Sequence, residues 1–156
     1  MFSFLKKKHE QLIAPIDGKV ISLDDVDDPI FSKRKMGDGV AIVASGLYVY
    51  APADGQIAVT IERKHAFGMV LENEMELIVH VGINVNDPSG NGFTMLVKEH
   101  ENVKQGTPII KIDPQLLKDN ELITPVIITN PHCFTILNNH IGEVVVGNKS
   151  TLIEYY

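Results

Sequence analysis

An all-β fold, sandwich or barrel, follows from three features of the sequence. Short runs of Leu, Ile and Val are bounded by Gly, Pro, Asn and Asp at intervals of about 8 to 12 residues. No long stretch carries helical periodicity. One segment also recurs, because Ala14-Pro15-Ile16-Asp17-Gly18-Lys19-Val20 returns as Ala51-Pro52-Ala53-Asp54-Gly55-Gln56-Ile57.

Taken in order, strands are expected over residues 18–23 and 40–44, the first opened by Asp17-Gly18 and the second by Gly37-Asp38-Gly39. Residues 48–51 form a third, stopped by Pro52, and Asp54-Gly55 opens a fourth over 55–62. In both Asp-Gly steps the glycine is expected to supply a positive-φ turn position. Strands over 66–71 and 75–83 flank the polar break Glu72-Asn73-Glu74, a hairpin tip. After 94–97, Gly106 makes another tight reversal before 108–112. Asp113 caps, and Pro114 starts, the one predicted helix, over 114–120. Strands over 126–129, 142–146 and 151–155 complete the chain.

At 156 residues the chain is read as one domain, 1–156, with a flexible N-terminal segment over 1–10. A net charge of −6 argues against a nucleic-acid partner, which requires clustered basic residues. The single cysteine, Cys133, forms no internal bridge, and Phe2-Ser3-Phe4-Leu5 is too short for a secretion signal. A cytoplasmic setting is expected. No apolar run reaches the roughly 20 residues of a spanning helix, so membrane contact would be peripheral. The basic run Lys6-Lys7-Lys8 is read as a solubilising terminus.

Two histidines, His65 and His80, lie in the apolar runs on either side of the tip. A two-residue loop of Glu72 and Asn73 would set Met69 opposite Glu76, Phe67 opposite Ile78 and His65 opposite His80. By strand alternation Leu77, Val79, Val81 and Ile83 form the core face, while His80 shares the other with Ile78. His65 would share its face with Phe67 and Met69. A lone strand histidine is ordinarily structural, but two facing imidazoles would make a chemical site. A one-residue error in the tip would turn the partner away.

The motifs Lys64-His65-Ala66-Phe67-Gly68, Val79-His80-Val81-Gly82-Ile83 and Gly90-Asn91-Gly92-Phe93 resemble the glucose-type IIA component of the phosphoenolpyruvate-dependent sugar phosphotransferase system. So do Asp25-Val26-Asp27-Asp28-Pro29-Ile30-Phe31, Gly37-Asp38-Gly39-Val40-Ala41-Ile42 and Thr124-Pro125-Val126-Ile127-Ile128-Thr129-Asn130, in the same order. The resemblance implies an antiparallel β-sandwich with a duplicated hybrid (barrel-sandwich) motif and short helical turns. It implies that His80 accepts a phosphoryl group from the phosphocarrier HPr and passes it to a IIB domain of a IIB/IIC sugar transporter, with His65 supporting. Any membrane contact would come through that transporter. Neutral imidazole is nucleophilic and can carry a covalent phosphoryl group, with no cofactor required. The His65 side chain and strand N–H groups could stabilise the transferred charge.

The same resemblance implies a docking rim, here Ile30, Phe31, Met36, Ile61 and Ile78, with Asp28 as an acidic position. Three residues depart from the family pattern: Asn84 replaces an acid, Arg63 a threonine and Lys35 an apolar rim residue. Together these changes favour a different or weaker partner charge. Alternation would aim Arg63 at the His65 face, where it could hold phosphate or lie over the rim.

Duplicated Ala-Pro-x-Asp-Gly turns also occur in lysostaphin-like zinc peptidases and in biotinyl or lipoyl carriers. The first need a His-x-His pair, yet valines flank His80, and the second need an acceptor lysine between methionines, a triplet not found here. A regulatory or metal-binding interaction module is the remaining alternative, with His65 and His80 as half of a zinc shell completed by a partner. His9, His100, His132 and His140 belong to no motif and are read as surface or loop residues.

Overall fold

The computed structural model describes residues 9–156. The basic run 6–8 and the apolar residues before it lie outside the described residues. The strands are β1 (Glu10–Ile13), β2 (Gly18–Ile21), β3 (Asp38–Ala44), β4 (Tyr48–Tyr50), β5 (Gly55–Ile61), β6 (Ala66–Leu71) and β7 (Glu76–His80). They continue as β8 (Phe93–Met95), β9 (Asn102–Val103), β10 (Pro108–Ile112), β11 (Leu122–Ile128), β12 (Ile136–Asn138), β13 (Val144–Val145) and β14 (Thr151–Tyr155). Two short helices, α1 (Pro29–Ser32) and α2 (Pro114–Asp119), join them. Asp113 caps α2 by accepting from the Gln115 N–H at 2.8 Å, as its sequence position predicts.

All pairings are antiparallel, in an eight-stranded sheet of order β13-β2-β3-β11-β7-β6-β5-β9 and two three-stranded sheets, β1-β14-β12 and β4-β10-β8. Four of these strands and helices fall outside the sequence expectation. β1 takes in Glu10, inside the segment read as flexible, and pairs it with Tyr155. β9, β12 and α1 have two to four residues, too few to show a period.

The recurring segment is a structural repeat. Ala14 donates to the Ser150 carbonyl and accepts from the Asn148 N–H, while Ala51 does the same with Thr107 and Gly106. Asp17 accepts the Gly147 N–H at 2.7 Å and Asp54 accepts the Gln105 N–H at 2.7 Å. Gly18 and Gly55 then start β2 and β5, each pairing outward with a two-residue edge strand, β13 or β9. Gly18 has φ 156, but Gly55 takes no positive φ, so the turn reading fails there. What Gly55 supplies is close approach, since a Cβ would stand 2.7 Å from the Val70 carbonyl oxygen.

One large core runs through all sheets and includes Leu12, Ile42, Phe67, Met69, Leu77, Val79, Ile110, Val126 and Ile153. A second, smaller core lies where the segment containing α1 folds over β3, β7 and β11, and joins Leu23, Val26, Phe31, Ala41, Ile83 and Ile127. Its margin sets the environment of His80.

Candidate functional site

The hairpin tip decides the register of the site. Leu71 N–H donates to the Met75 carbonyl, Glu74 N–H donates back to Leu71, and Glu74 has φ 70. The loop therefore has three residues, with its third in the left-handed region, and the register moves by one. Ala66, not His65, stands opposite His80, and Phe67 stands opposite Val79. Phe67 and Met69 are core residues at 1% exposure and do not share the His80 face. That face carries Ala66, Gly68 and Val70 of β6 and Glu76, Ile78 and His80 of β7.

His65 reaches the site by another route. Residues Glu62–Lys64 form a 3-10 turn that His65 closes with φ 50, its N–H bonded to the Glu62 carbonyl at 3.2 Å. Its own carbonyl accepts the Val81 N–H at 2.9 Å, and its Nδ1 lies 3.4 Å from the Val81 carbonyl oxygen. In the tautomer protonated at Nδ1 this is a weak hydrogen bond that leaves Nε2 free. The ring stacks on Phe93 with centroids 3.7 Å apart and planes 19° from parallel. Burial lowers the His65 pKa, opposed by Val81 and by the charge of Asp87.

His80 is half-buried, in a T-shaped contact with Phe31 at a centroid distance of 5.9 Å and an interplanar angle of 75°. Burial pushes its pKa down to about 4, helped by the charges of His65 and Lys64 and opposed by Asp28. At neutral pH the ring is unprotonated and carries a lone pair. The N–H groups that follow it are already engaged, Val81 by His65, Gly82 by Thr124 Oγ1 at 3.3 Å, and Ile83 by Ile123. The N–H groups of Val81, Gly82 and Ile83 are thus committed within the fold and do not stand free beside His80.

Of the expected rim, Ile30, Met36 and Ile61 are exposed, and Ile78 is half-buried. Ile61, Ala66 and His80 form one row across β5, β6 and β7. Phe31 departs from expectation, since at 4% exposure it is a floor beneath His80 and no part of the surface. Asp28 caps α1 by accepting from the Ile30 N–H at 2.9 Å. Asn84 is exposed with φ 57, and Lys35 is exposed. Arg63 belongs to the turn, not to a strand, so alternation does not orient it. It lines a cavity of about 400 Å³ with Glu62, His65, Phe93, Thr94 and Met95. His140 lies away from the site and is held by Glu143 at 2.6 Å and Glu154 at 3.3 Å.

Sequence reasoning assigned no role to Phe93, Lys64 or Thr124. Phe93 stood in a quoted motif, and Lys64 directly precedes His65, so both signals were present. Thr124, fully buried, also stood in a motif, but nothing there marked its hydroxyl as the acceptor of the Gly82 N–H. Among the described residues no group of three or more His, Cys, Asp or Glu could hold a metal ion, so zinc on His65 and His80 would need ligands from a partner.

The fold and the site define a β-sandwich that presents one neutral imidazole at an apolar margin, with a second imidazole fixed nearby. Residues 10–134 match the family described as phosphoenolpyruvate-dependent sugar phosphotransferase system, EIIA 1, and the chain belongs to that family. It is similar to the PTS system glucose-specific EIIA component of Borreliella burgdorferi, 43% identical over 160 residues that cover 97% of this chain and 84% of that one. Similarity to the PTS system glucoside-specific EIICBA component of Staphylococcus carnosus is 38% over 144 residues, 91% of this chain and 21% of that one. Among solved structures, glucose permease IIA from Mycoplasma capricolum superposes with a TM-score of 0.84 at 31% identity, over 99% of each chain. The chain is a phosphotransferase component acting in sugar uptake. No helix among the described residues is long and apolar enough to cross a membrane.

Proposed function

We propose that His80 is the phosphoryl acceptor, charged by the phosphocarrier HPr and discharged to a IIB domain of a sugar transporter, with His65 as the supporting residue. The low pKa of His80, about 4, supports this reading most directly, because it keeps the attacking nitrogen free of a proton. As the His80 nitrogen bonds to phosphorus, the donor's own nitrogen–phosphorus bond breaks and its electron pair returns to the donor ring. Phosphorus keeps its oxidation state, and each ring's other nitrogen keeps its proton. The exposed rim of Ile30, Met36 and Ile61 suits the apolar part of a docking partner. The transporter partnership is supported by the Staphylococcus carnosus relative, whose name joins the EIIA part to EIIC and EIIB.

Incubation with phosphoenolpyruvate, enzyme I and HPr is expected to place one acid-labile phosphoryl group on the chain, and His80→Ala to remove it. Undiminished labelling of His80→Ala would mean that another residue is the acceptor.

A further inference from the structure

We infer that Lys64 is the cation that holds the phosphoryl group once it is on His80, which rests on His80 being the acceptor. Lys64 ends the 3-10 turn two residues before Ala66, and Ala66 stands directly opposite His80. Facing Cα atoms in such pairs lie about 5 Å apart, and two residues of chain add at most about 7 Å. The four-carbon stem of lysine can span what remains. The turn is anchored at its end, because the N–H and carbonyl of His65 are bonded to Glu62 and Val81.

Lys64 is exposed and, among the described residues, its side chain takes part in no hydrogen bond or ion pair. Arg34, by contrast, is engaged by Asp24 and Asp38. The positive charge of Lys64 is felt at His80, where it disfavours a proton. A charge that repels a proton at that point attracts a phosphoryl dianion there. The N–H groups that follow His80, those of Val81, Gly82 and Ile83, are engaged elsewhere. Arg63 lines the cavity on the Phe93 side of His65.

During transfer the nitrogen–phosphorus bond moves from the donor ring to His80, and Lys64 pairs with a phosphoryl oxygen without exchanging a proton. The test is the equilibrium constant for phosphoryl exchange between HPr and the full-length chain, measured for the unaltered protein, Lys64→Gln, Lys64→Glu, Lys64→Arg and Arg63→Gln at two salt concentrations. This constant compares phosphorylated with free protein, so loss of docking alone leaves it unmoved. With the label mapped to His80, Lys64→Gln is expected to lower it by about fivefold, the upper range for an exposed ion pair, and Lys64→Glu further. Lys64→Arg is expected to restore it, Arg63→Gln to leave it unchanged, and salt to narrow the difference. An unchanged constant in Lys64→Gln, failure of Lys64→Arg to restore it, or the loss appearing in Arg63→Gln instead overturns the inference while leaving the acceptor assignment standing. A label mapped away from His80 overturns that assignment and the role of Lys64 with it.

Discussion

Burial at the margin of the smaller core, with nearby positive charge, keeps the His80 ring unprotonated. Its folded-state pKa is about 4 against an ordinary value of about 6.5, so between these values the unfolded chain binds more protons there. Stability therefore rises with pH across that window and is lost as pH falls through it. Thermal melting from pH 7 to pH 4 is expected to show this slope, and His80→Gln to flatten it. A ring-proton NMR titration of His80 with a midpoint near 6.5 would contradict the burial argument. His65 differs, since its stack on Phe93 and contact with Val81 fix its orientation. His65→Gln keeps a polar group but loses the stack. It is expected to be phosphorylated still, with onward transfer slowed by about 100-fold, the usual scale for removing one preorganised group. Onward transfer at the unaltered rate would reduce His65 to packing.

Among the elements, the Gly37-Asp38-Gly39 segment, one of those that carry the family resemblance, has an architectural role. A Cβ at Gly39 would stand 2.0 Å from the Val126 carbonyl oxygen, where β3 pairs with β11 directly beside β7. Gly39→Ala is expected to destabilise the chain by about 3 kcal/mol in denaturant unfolding, at the upper end for overpacking. A cost below about 0.5 kcal/mol would mean that the strands separate there more easily than their pairing indicates. The strands were legible because alternation and turn residues mark them, and β6, β10 and β14 have the expected limits. The hairpin register was not. A single residue, Glu74 in the left-handed region, decides between a two- and a three-residue loop, and nothing in Glu72-Asn73-Glu74 forces that choice. Sequence reasoning thus paired His65 with His80 by a strand contact that does not exist, although the 3-10 turn brings His65 to the neighbouring Val81 instead. Phe31 was misread for a related reason, because a four-residue helix gives too little period to separate its buried side from its exposed one.

Across the whole molecule, the two copies of the Ala-Pro-x-Asp-Gly repeat hold the ends of the eight-stranded sheet, and β7 lies between neighbours on both sides. The proposed acceptor, His80, thus sits on a doubly paired strand, which would suit a group that two successive partners must align. In the proposed transfer, specificity would fall to the exposed surface, where Asn84, Arg63 and Lys35 set the charge offered to a donor. Asn84→Asp is expected to raise the rate of phosphorylation by HPr by about threefold at low salt, with the gain shrinking as salt rises. A gain that does not depend on salt, or none at all, would remove charge from the account of docking. The most direct measurement is nitrogen–phosphorus coupling in the NMR spectrum of histidine-labelled protein charged through HPr. Coupling on one ring nitrogen of His80, with both nitrogens of His65 uncoupled, is the result expected. Coupling on His65, or on any other histidine, would contradict the assignment.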